Sequence, residues 1–349
     1  MKKIAVSVLG ATGTVGQRFV QLLHGHPWFE VVTLTGSDRS VGMTYAEACH
    51  WVLTTPMPEW AQRMTLVETD SKTVQTPIAF SALPTQSAWD LEARLAKNGV
   101  LVCSNASAYR MEPDVPILLP EVNADHLAIL KYQRQQRRWS GGIITNSNCT
   151  CTGMTIALKA LNDAFGVEQV FAVSMQALSG AGYPGVPSLD ITDNILPYIA
   201  GEDEKVEQEP LKILGILRDG RIEFAPLTIS AHTNRVPVTE GHTVCLSVKL
   251  RSATTIETAK QVLRAYQPPQ VCEVLPSTPR PVIRVLEEVD RPQPRLDRNA
   301  GNGMVTTVGK VRADPIFDLK LTVLSHNTIR GAAGGSIYNA ELAVKLGYV

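Results

Sequence analysis

The sequence predicts an α/β fold in which a doubly wound parallel sheet occupies the first part of the chain and an α+β region follows. Residues 3–9 form a nearly continuous apolar segment, as expected for a strand whose sheet is covered by helices on both faces. Strand-like segments then alternate with helical ones as far as about residue 148. Beyond that point, the period-2 alternation of residues 169–176 and 243–250 predicts longer strands.

The first strand runs directly into a glycine-rich loop, Gly10-Ala-Thr-Gly-Thr-Val-Gly16, and then into a helical segment, residues 17–23. Glycines three residues apart let the backbone approach a pyrophosphate, and the helix N-terminus directs N–H groups at it. The spacing differs from the G-x-G-x-x-G fingerprint, but the strand and the helix lie where phosphate binding requires them. The alternative is a tight turn that packs the helix on the sheet. We predict a Rossmann-type nucleotide-binding domain whose cofactor contacts are Gly10, Thr12, Gly13, Thr14, Val15 and Gly16.

The end of the second predicted strand, residues 29–35, indicates which dinucleotide is bound. An acidic residue at this position bonds the adenosine ribose in NAD sites, whereas an arginine and hydroxyl groups suit the 2′-phosphate of NADP. Ser37, Arg39 and Ser40 favour NADP. Asp38 leaves NAD open, because its side chain could reach a ribose hydroxyl.

After a less regular insertion, about residues 45–75, the alternation resumes. Strands are predicted at residues 78–84 and 100–104, with a helix at 87–98 between them. Arg110 follows the second of these strands, at the edge where doubly wound sheets bind ligands. The alternative for Arg110 is a solvated surface side chain. The basic segment 131–138 is expected to be a solvated helix face.

Residues 143–154 begin as a β-branched strand and continue into a helical segment, which places Cys149 at the turn between them. A thiol at a helix N-terminus faces unpaired N–H groups and the positive end of the helix dipole, and both favour the nucleophilic thiolate. Cys149 is therefore a candidate covalent nucleophile. The alternative is a buried structural cysteine.

The second part of the chain contains three further candidate segments. A loop rich in glycine and proline, residues 179–187, follows the strand 169–176. A charged helix begins at Glu202, where an acidic first turn is already explained by the helix dipole and by solubility. Arg235 and His242 lie near the start of the strand 243–250 and could act as a carboxylate clamp and a proton-transfer group. His232 and His326 compete with His242 for the second role.

Composition excludes several classes of function. The chain carries 33 basic and 33 acidic residues among 349, so no nucleic-acid partner is indicated. No apolar segment reaches membrane-spanning length and the first residues lack the core of a signal peptide, so we expect a cytoplasmic protein. The six cysteines follow no disulfide framework, and Cys149 and Cys151 lack the neighbours of a zinc site, so no metal is expected.

Taken together, the segments resemble the aspartate-semialdehyde dehydrogenase family, specifically its archaeal and fungal branch, over nearly the whole chain. The resemblance is carried by GATGTVGQRFVQLL, HPWFE, SDRSVG, LLPEVN, TNSNCT, MQALSGAGYPGVPSLDI, GEDEK, NRVPVTEGH, RPQPRLDR and SHNTIRGAAGG. It implies reduction of aspartyl β-phosphate by NADPH to aspartate β-semialdehyde, with release of inorganic phosphate. One departure is His232-Thr233, where Gln and Cys are expected in this branch.

The resemblance also implies residue roles. Cys149 would be the nucleophile, His242 the acid/base group, and Gln176 a neighbour of the acyl centre. Arg235 would bind the α-carboxylate of the substrate and Glu202 its ammonium group. The remaining implied contacts are Arg110 and Lys205 with phosphate, Asn148 with substrate, and Ser179, Gly180 and Asn327 with the cofactor. The reaction would pass through a thioester on Cys149, and hydride transfer to it would give a thiohemiacetal oxyanion. This oxyanion is expected to receive N–H bonds from the residues just after Cys149.

The expected organisation is an NADP-binding domain of residues 1–148 plus 330–349 and an α+β catalytic and dimerisation domain of residues 149–329. The resemblance implies a homodimer or homotetramer. Two alternatives stay open. A malonyl-CoA reductase shares the architecture and NADPH but has no use for Glu202, and a non-catalytic NADP-binding redox sensor would leave Arg235 and His242 without a role.

Overall fold

The computed structural model describes residues 2–349 and contains two six-stranded sheets. Met1, the first residue of the predicted first domain, lies outside the described residues. In the first part of the chain the elements are β1 (Ile4–Leu9), α1 (Thr14–Leu23), β2 (Phe29–Gly36), α2 (Tyr45–Ala48), α3 (Glu59–Gln62), β3 (Val67–Glu68), β4 (Ile78–Ser81), α4 (Thr85–Lys97), β5 (Leu101–Ser104), α5 (Pro120–Asn123), α6 (Leu130–Arg137) and β6 (Gly142–Thr145).

The first sheet has the strand order β3-β2-β1-β4-β5-β6, and all of its pairs are parallel. The order reverses between β1 and β4, so the carboxyl ends of these two strands form the crevice in which such sheets bind ligands. The loops after β1, β4, β5 and β6 all open on this edge. The predicted doubly wound sheet is therefore confirmed.

The second part of the chain forms a mixed sheet with a hairpin beside it. Its elements are α7 (Cys149–Phe165), β7 (Val167–Gln176), α8 (Ser188–Ile191), α9 (Glu202–Ile213), β8 (Ile216–Arg218), β9 (Arg221–Glu223), β10 (Thr228–Arg235), β11 (His242–Leu250), α10 (Ile256–Ala265), β12 (Ile283–Val285), α11 (Pro294–Asp297), β13 (Thr306–Ala313), β14 (Leu319–Ser325) and α12 (Gly334–Lys345).

The mixed sheet has the order β10-β7-β11-β14-β13-β12, in which β7 pairs parallel with β10 and antiparallel with β11. Because of these directions, the end of β7, the end of β10 and the start of β11 meet at one edge. Gln176 is in register with Arg235, and Thr243 is in register with Met175. Strand pairing alone thus brings the end of β7 beside Arg235 and Thr243, which lie far from it in the chain.

Two helices connect the sheets. α7 begins at the carboxyl edge of the first sheet, and its apolar residues, such as Ile156 and Leu158, lie in the core of the mixed sheet. In the opposite direction, α12 returns to the first sheet, where Ile337 and Tyr338 share a core with Phe19. The nucleophile candidate at the start of α7 therefore lies where the two sheets meet.

The helix α6 has the predicted solvated face, on which Lys131, Gln135 and Gln136 are exposed, but its other side is bonded to the protein. Gln133 is fully buried, and its amide bonds the backbone of Ile143 as both donor and acceptor. Arg137 bonds both carboxylate oxygens of Asp114. The sequence did not show the Gln133 contact, because this side chain takes the place of a neighbouring strand's hydrogen bonds at the edge of the sheet.

No helix between residues 2 and 349 is long and apolar enough to cross a membrane. Within the same range, no cluster of three or more His, Cys, Asp or Glu side chains could hold a metal ion.

Candidate active site

Cys149 is the first residue of α7 and lies on the wall of a cleft of about 780 Å³ between the two sheets. The helix begins here because Asn148 caps it, with its amide oxygen accepting from the N–H groups of Thr150 (2.8 Å) and Cys151 (3.3 Å). Two of the N–H groups left free at a helix start are thereby satisfied by one side chain. The sequence prediction for the position of Cys149 agrees with the structure.

The thiol is paired with His242. Its sulfur lies 3.1 Å from Nε2, and the backbone N–H of Ala177 donates to Nδ1 at 3.0 Å. Since Nδ1 accepts this bond, the neutral ring carries its proton on Nε2, which faces the sulfur. Burial, with the charges of Arg235 and His326, lowers the pKa of His242 to about 3. The ring is therefore a neutral donor aimed at the nucleophile.

The thiolate expected from the helix N-terminus is not favoured in the structure. Removal from water raises the pKa of the Cys149 thiol to about 12, and the Glu202 carboxylate acts in the same direction. Arg110 and Arg235 oppose this shift but do not reverse it. The sequence prediction was wrong on this point because desolvation outweighs the favourable dipole and charges.

The two other histidines considered in the sequence lie elsewhere. His326 is buried, with Nε2 3.4 Å from a carboxylate oxygen of Glu240. His232 lies on the exposed side of β10 against Phe171. Of the three histidines, His242 is the one in contact with Cys149.

Arg235 ends β10 beside this pair and donates from Nη1 to the carbonyl of Ala177 at 2.8 Å. Gly180 lies directly over both groups. A Cβ at Gly180 would be 2.8 Å from Nη1 of Arg235 and 3.2 Å from Nε2 of His242. The cofactor contact predicted for Gly180 stays a prediction; in the structure, the absence of a Cβ at this position leaves room for the Arg235 and His242 side chains.

Glu202 opens α9 and reaches the nucleophile helix. Its carboxylate accepts from the amide of Asn148 at 2.7 Å and lies 3.3 Å from the ammonium of Lys205. Glu202 is only 6% exposed, so the solvated face considered in the sequence is excluded. One N–H of the Asn148 amide is left for a ligand.

Arg110 lines the same cleft, but three of its donors are already used by the protein. Nε bonds the carbonyl of Asn146 (3.0 Å), Nη2 the carbonyl of Asn105 (2.7 Å), and Nη1 the carboxylate of Glu209 (3.0 Å). A guanidinium has five N–H donors, so two remain for an anion. Arg110 is thus a buried, fixed cation, and the solvated alternative is excluded.

The donors predicted for the oxyanion are not available. The N–H groups of Thr150 and Cys151 both bond the Asn148 cap, so the prediction that residues just after Cys149 supply them was wrong. The N–H of Cys149 itself bonds no other residue among 2–349 and acts on its own sulfur, where it favours the thiolate. A cap and an oxyanion hole compete for the same first-turn donors, and here the cap has taken them.

The glycine loop reaches the cleft through Thr14 and Val15, which line it. Gly10 has φ +68°, and Gly16 packs so closely that a Cβ would be 2.2 Å from the carbonyl oxygen of Gly10. A Cβ at Gly13 would have 3.6 Å to its nearest atom, so its backbone remains open to a ligand. The buried hydroxyl of Thr14 has no hydrogen-bond partner within the described part of the chain. An unpaired hydroxyl beside a helix N-terminus fits a bound pyrophosphate.

The other predicted cofactor residues fall into two groups. Asn327 donates to the hydroxyl of Ser179 at 2.8 Å and accepts from the N–H of Gly241, and both side chains line the cleft. Ser37 and Arg39 are exposed after β2, whereas the Ser40 hydroxyl donates to the carbonyl of Ser37. Ser40 therefore shapes the turn, which leaves Ser37 and Arg39 accessible to a phosphate.

Sequence reasoning missed Glu209, a 2% exposed carboxylate that bonds both Arg110 and the backbone N–H of Asn148. The signal was its spacing from Glu202. Seven residues are two turns of helix, so the two side chains project from one face of α9.

The chain matches two family models: the NAD binding domain of semialdehyde dehydrogenase at residues 5–130 and the semialdehyde dehydrogenase dimerisation domain at residues 158–330. It is 50% identical to the aspartate-semialdehyde dehydrogenase of Archaeoglobus fulgidus over 343 residues, 98% of either chain. It is 47% identical to that of Schizosaccharomyces pombe, again over 98% of either chain. The crystal structure of aspartate semialdehyde dehydrogenase with NADP from Candida albicans matches with a TM-score of 0.92 at 39% identity and covers 100% of both chains. These matches confirm the resemblance found in the sequence, and the chain belongs to the aspartate-semialdehyde dehydrogenase family.

Proposed function

We propose that this protein reduces aspartyl β-phosphate with NADPH to aspartate β-semialdehyde and inorganic phosphate. The observation that carries the proposal is the 3.1 Å contact between Sγ of Cys149 and Nε2 of His242. The pair lies in a cleft that also holds two arginines and a buried carboxylate. A thiol with a proton donor at hydrogen-bond distance is the arrangement required for acyl transfer through a thioester.

Substrate binding follows from charge. Arg235 would bind the α-carboxylate and Glu202 the α-ammonium group, with Asn148 as a further polar contact. Arg110 and Lys205 would bind phosphate, and Gln176, at the end of β7, would contact the acyl centre. These contacts hold the acyl carbon at the sulfur, which supplies much of the rate by orientation.

In the first step the sulfur of Cys149 attacks the acyl carbon, the bond to the phosphate oxygen breaks, the thiol proton leaves with the phosphate, and a thioester remains. Bound NADPH supplies the hydride that reduces this thioester. The N–H of Cys149 and the free amide N–H of Asn148 would stabilise the oxyanion that results. When the carbon–sulfur bond breaks, the Nε2–H of His242 hydrogen-bonds the departing sulfur, which takes from water the one proton that the overall reaction consumes, and the aldehyde is released.

The cofactor would bind along the carboxyl edge of the first sheet. The α1 N-terminus would hold the pyrophosphate through Gly10, Thr12, Gly13, Thr14, Val15 and Gly16. Ser37 and Arg39, in the turn shaped by Ser40, would bind the 2′-phosphate of NADP. Ser179, Gly180 and Asn327 would face the nicotinamide half.

We propose that residues 1–148 with 330–349 form the NADP-binding domain and that residues 149–329 form the catalytic and dimerisation domain. A homodimer or homotetramer is the expected assembly. The cytoplasmic location remains a prediction from the sequence.

The two alternatives have less support. Malonyl-CoA carries a carboxylate but no ammonium group, which would leave the buried Glu202 carboxylate without a substrate partner. A redox sensor without catalysis would not require Arg235 and His242 beside the thiol.

The test is a steady-state assay of the reverse reaction, in which NADPH should form from the semialdehyde only when phosphate and NADP are both present. Mass spectrometry of enzyme quenched during turnover should find the acyl adduct on Cys149. The Cys149→Ser variant should bind NADP but turn over at least about a thousandfold more slowly. An adduct on another residue, or turnover of malonyl-CoA without activity on the semialdehyde, would refute the proposal.

A further inference from the structure

The helix α9 carries four charged residues on one face: Glu202, Lys205, Glu209 and Lys212. Their spacing of three, seven and ten residues from the first is the spacing of one helical face. Glu209 and Lys212 are at most 2% exposed, although neither takes part in the chemistry described above. Charged side chains are rarely buried unless every one of them is paired, so the partners of these two need an account.

The Glu209 carboxylate joins two separate parts of the site. One oxygen accepts from Nη1 of Arg110 at 3.0 Å, and the other accepts from the backbone N–H of Asn148 at 2.6 Å. Asn148 immediately precedes the nucleophile, and Arg110 lies in the loop after β5. One carboxylate therefore sets the distance between the phosphate-binding cation and the start of the nucleophile helix.

Lys212 bonds the backbone of the same loop, the loop that follows β5. Its ammonium group donates to the carbonyls of Arg110 (2.6 Å), Glu112 (2.7 Å) and Val115 (2.7 Å). Three acceptors match the three N–H donors of an ammonium group. α9 thus holds the side chain of Arg110 through Glu209 and its main chain through Lys212. Glu202, two turns before Glu209 on the same helix, bonds Asn148.

We infer that Glu209 is a positioning residue for phosphate: it acts through Arg110 and holds that guanidinium in register with Cys149. The inference rests on the proposed function and deepens it. Because Glu209 is bonded to donors on both sides, a glutamine cannot replace it. An amide has one oxygen and one NH₂ group, so one of the two donors would face another donor.

The experiment compares Glu209→Gln with Glu204→Gln in the phosphate-dependent assay. Glu204 is exposed on the same helix and has no hydrogen bond or ion pair among the described residues. Glu209→Gln should raise KM for phosphate by roughly 10- to 100-fold, the range expected when a buried charged hydrogen bond is lost. KM for NADP should stay within about twofold of wild type, and Glu204→Gln should match wild type in every constant.

Two further variants separate positioning from folding. Glu209→Asp keeps the charge on a shorter side chain, and it should recover part of the phosphate affinity. The double variant Arg110→Gln/Glu209→Gln should be no worse for phosphate than Arg110→Gln alone, because both changes act on the same contact. Additive effects would overturn the inference.

The inference also fails if folded Glu209→Gln keeps its phosphate KM, or if it loses kcat for every substrate in parallel with its thermal stability. If wild type shows no phosphate-dependent reaction at all, the proposed function fails instead, so the two failures are distinguishable.

Discussion

Replacing Gly180 by alanine should damage catalysis without damaging the fold. The added Cβ would lie 2.8 Å from Nη1 of Arg235 and 3.1 and 3.2 Å from Cε1 and Nε2 of His242. To restore the ~3.5 Å separation of non-bonded atoms, these groups must retreat by about 0.3–0.7 Å. Neither can move freely, because Arg235 bonds the carbonyl of Ala177 and His242 accepts its N–H.

A displacement of this size is enough to lower the rate substantially. Misplacement of about 1 Å can cost about a hundredfold, so we expect kcat/KM to fall by roughly 10- to 100-fold, or about 1.4–2.7 kcal/mol. The backbone of Gly180 is outside the positive-φ region, so alanine is compatible with it and the melting temperature should remain close to wild type.

The control is Gly25→Ala, which should show the opposite pattern. Gly25 has φ +72°, and a Cβ there would meet no atom within 4 Å. It should lose about 1–2 kcal/mol of stability through backbone strain and keep its kinetic constants. The measurements are kcat/KM from steady-state kinetics and the melting temperature from thermal unfolding, each compared between the two variants and wild type. A Gly180→Ala enzyme with kcat/KM within twofold of wild type would refute the steric argument.

Three other predictions follow from charge and burial. Because burial raises the pKa of Cys149 to about 12, its alkylation by iodoacetamide in the free enzyme should accelerate steadily with pH up to at least pH 10, and a plateau near neutral pH would show a depressed pKa instead. Arg39→Ala should raise KM for NADPH by roughly tenfold and leave that for NADH unchanged; equal effects on both would place the 2′-phosphate elsewhere. Burial raises the pKa of Glu92 to about 7, so the folded protein holds this proton while the unfolded chain releases it from about pH 4.5, and stability falls with pH between these values. Glu92→Gln should therefore gain melting temperature at pH 8 relative to wild type but not at pH 4; a gain of the same size at both would show that ionisation is not the cause.

The sequence predicted the nucleotide-binding half well because its signals are local. The apolar period of β1, the glycine loop and the helix after it lie within about twenty residues. Cys149 was likewise placed correctly, because a strand followed by a helix needs only neighbouring residues to be recognised. Arg235 and His242 were selected on short motifs, and strand pairing then explains why they meet.

The sequence could not predict the environment of α9, because it depends on distant partners. Glu209 bonds Arg110, ninety-nine positions away, and Lys212 bonds the same loop. In the sequence, Glu-Asp-Glu-Lys followed by further charges is typical of a solvated helix. The helical spacing of Glu202, Lys205, Glu209 and Lys212 was visible, but spacing alone does not say whether a polar helix face meets water or another polar surface.

The same limit explains why the thiolate prediction failed, and it changes where the reactivity of Cys149 must come from. A helix N-terminus and two nearby arginines favour the anion, yet the cleft removes the sulfur from water and places Glu202 close enough to oppose them. Two of the first-turn N–H groups are taken by the Asn148 cap. Besides the two arginines, the local groups that can still stabilise negative charge on the sulfur are the N–H of Cys149 itself and the Nε2 proton of His242, whose ring accepts the Ala177 N–H. We therefore expect the reactivity of Cys149 to depend on His242 and its backbone support as well as on the start of α7.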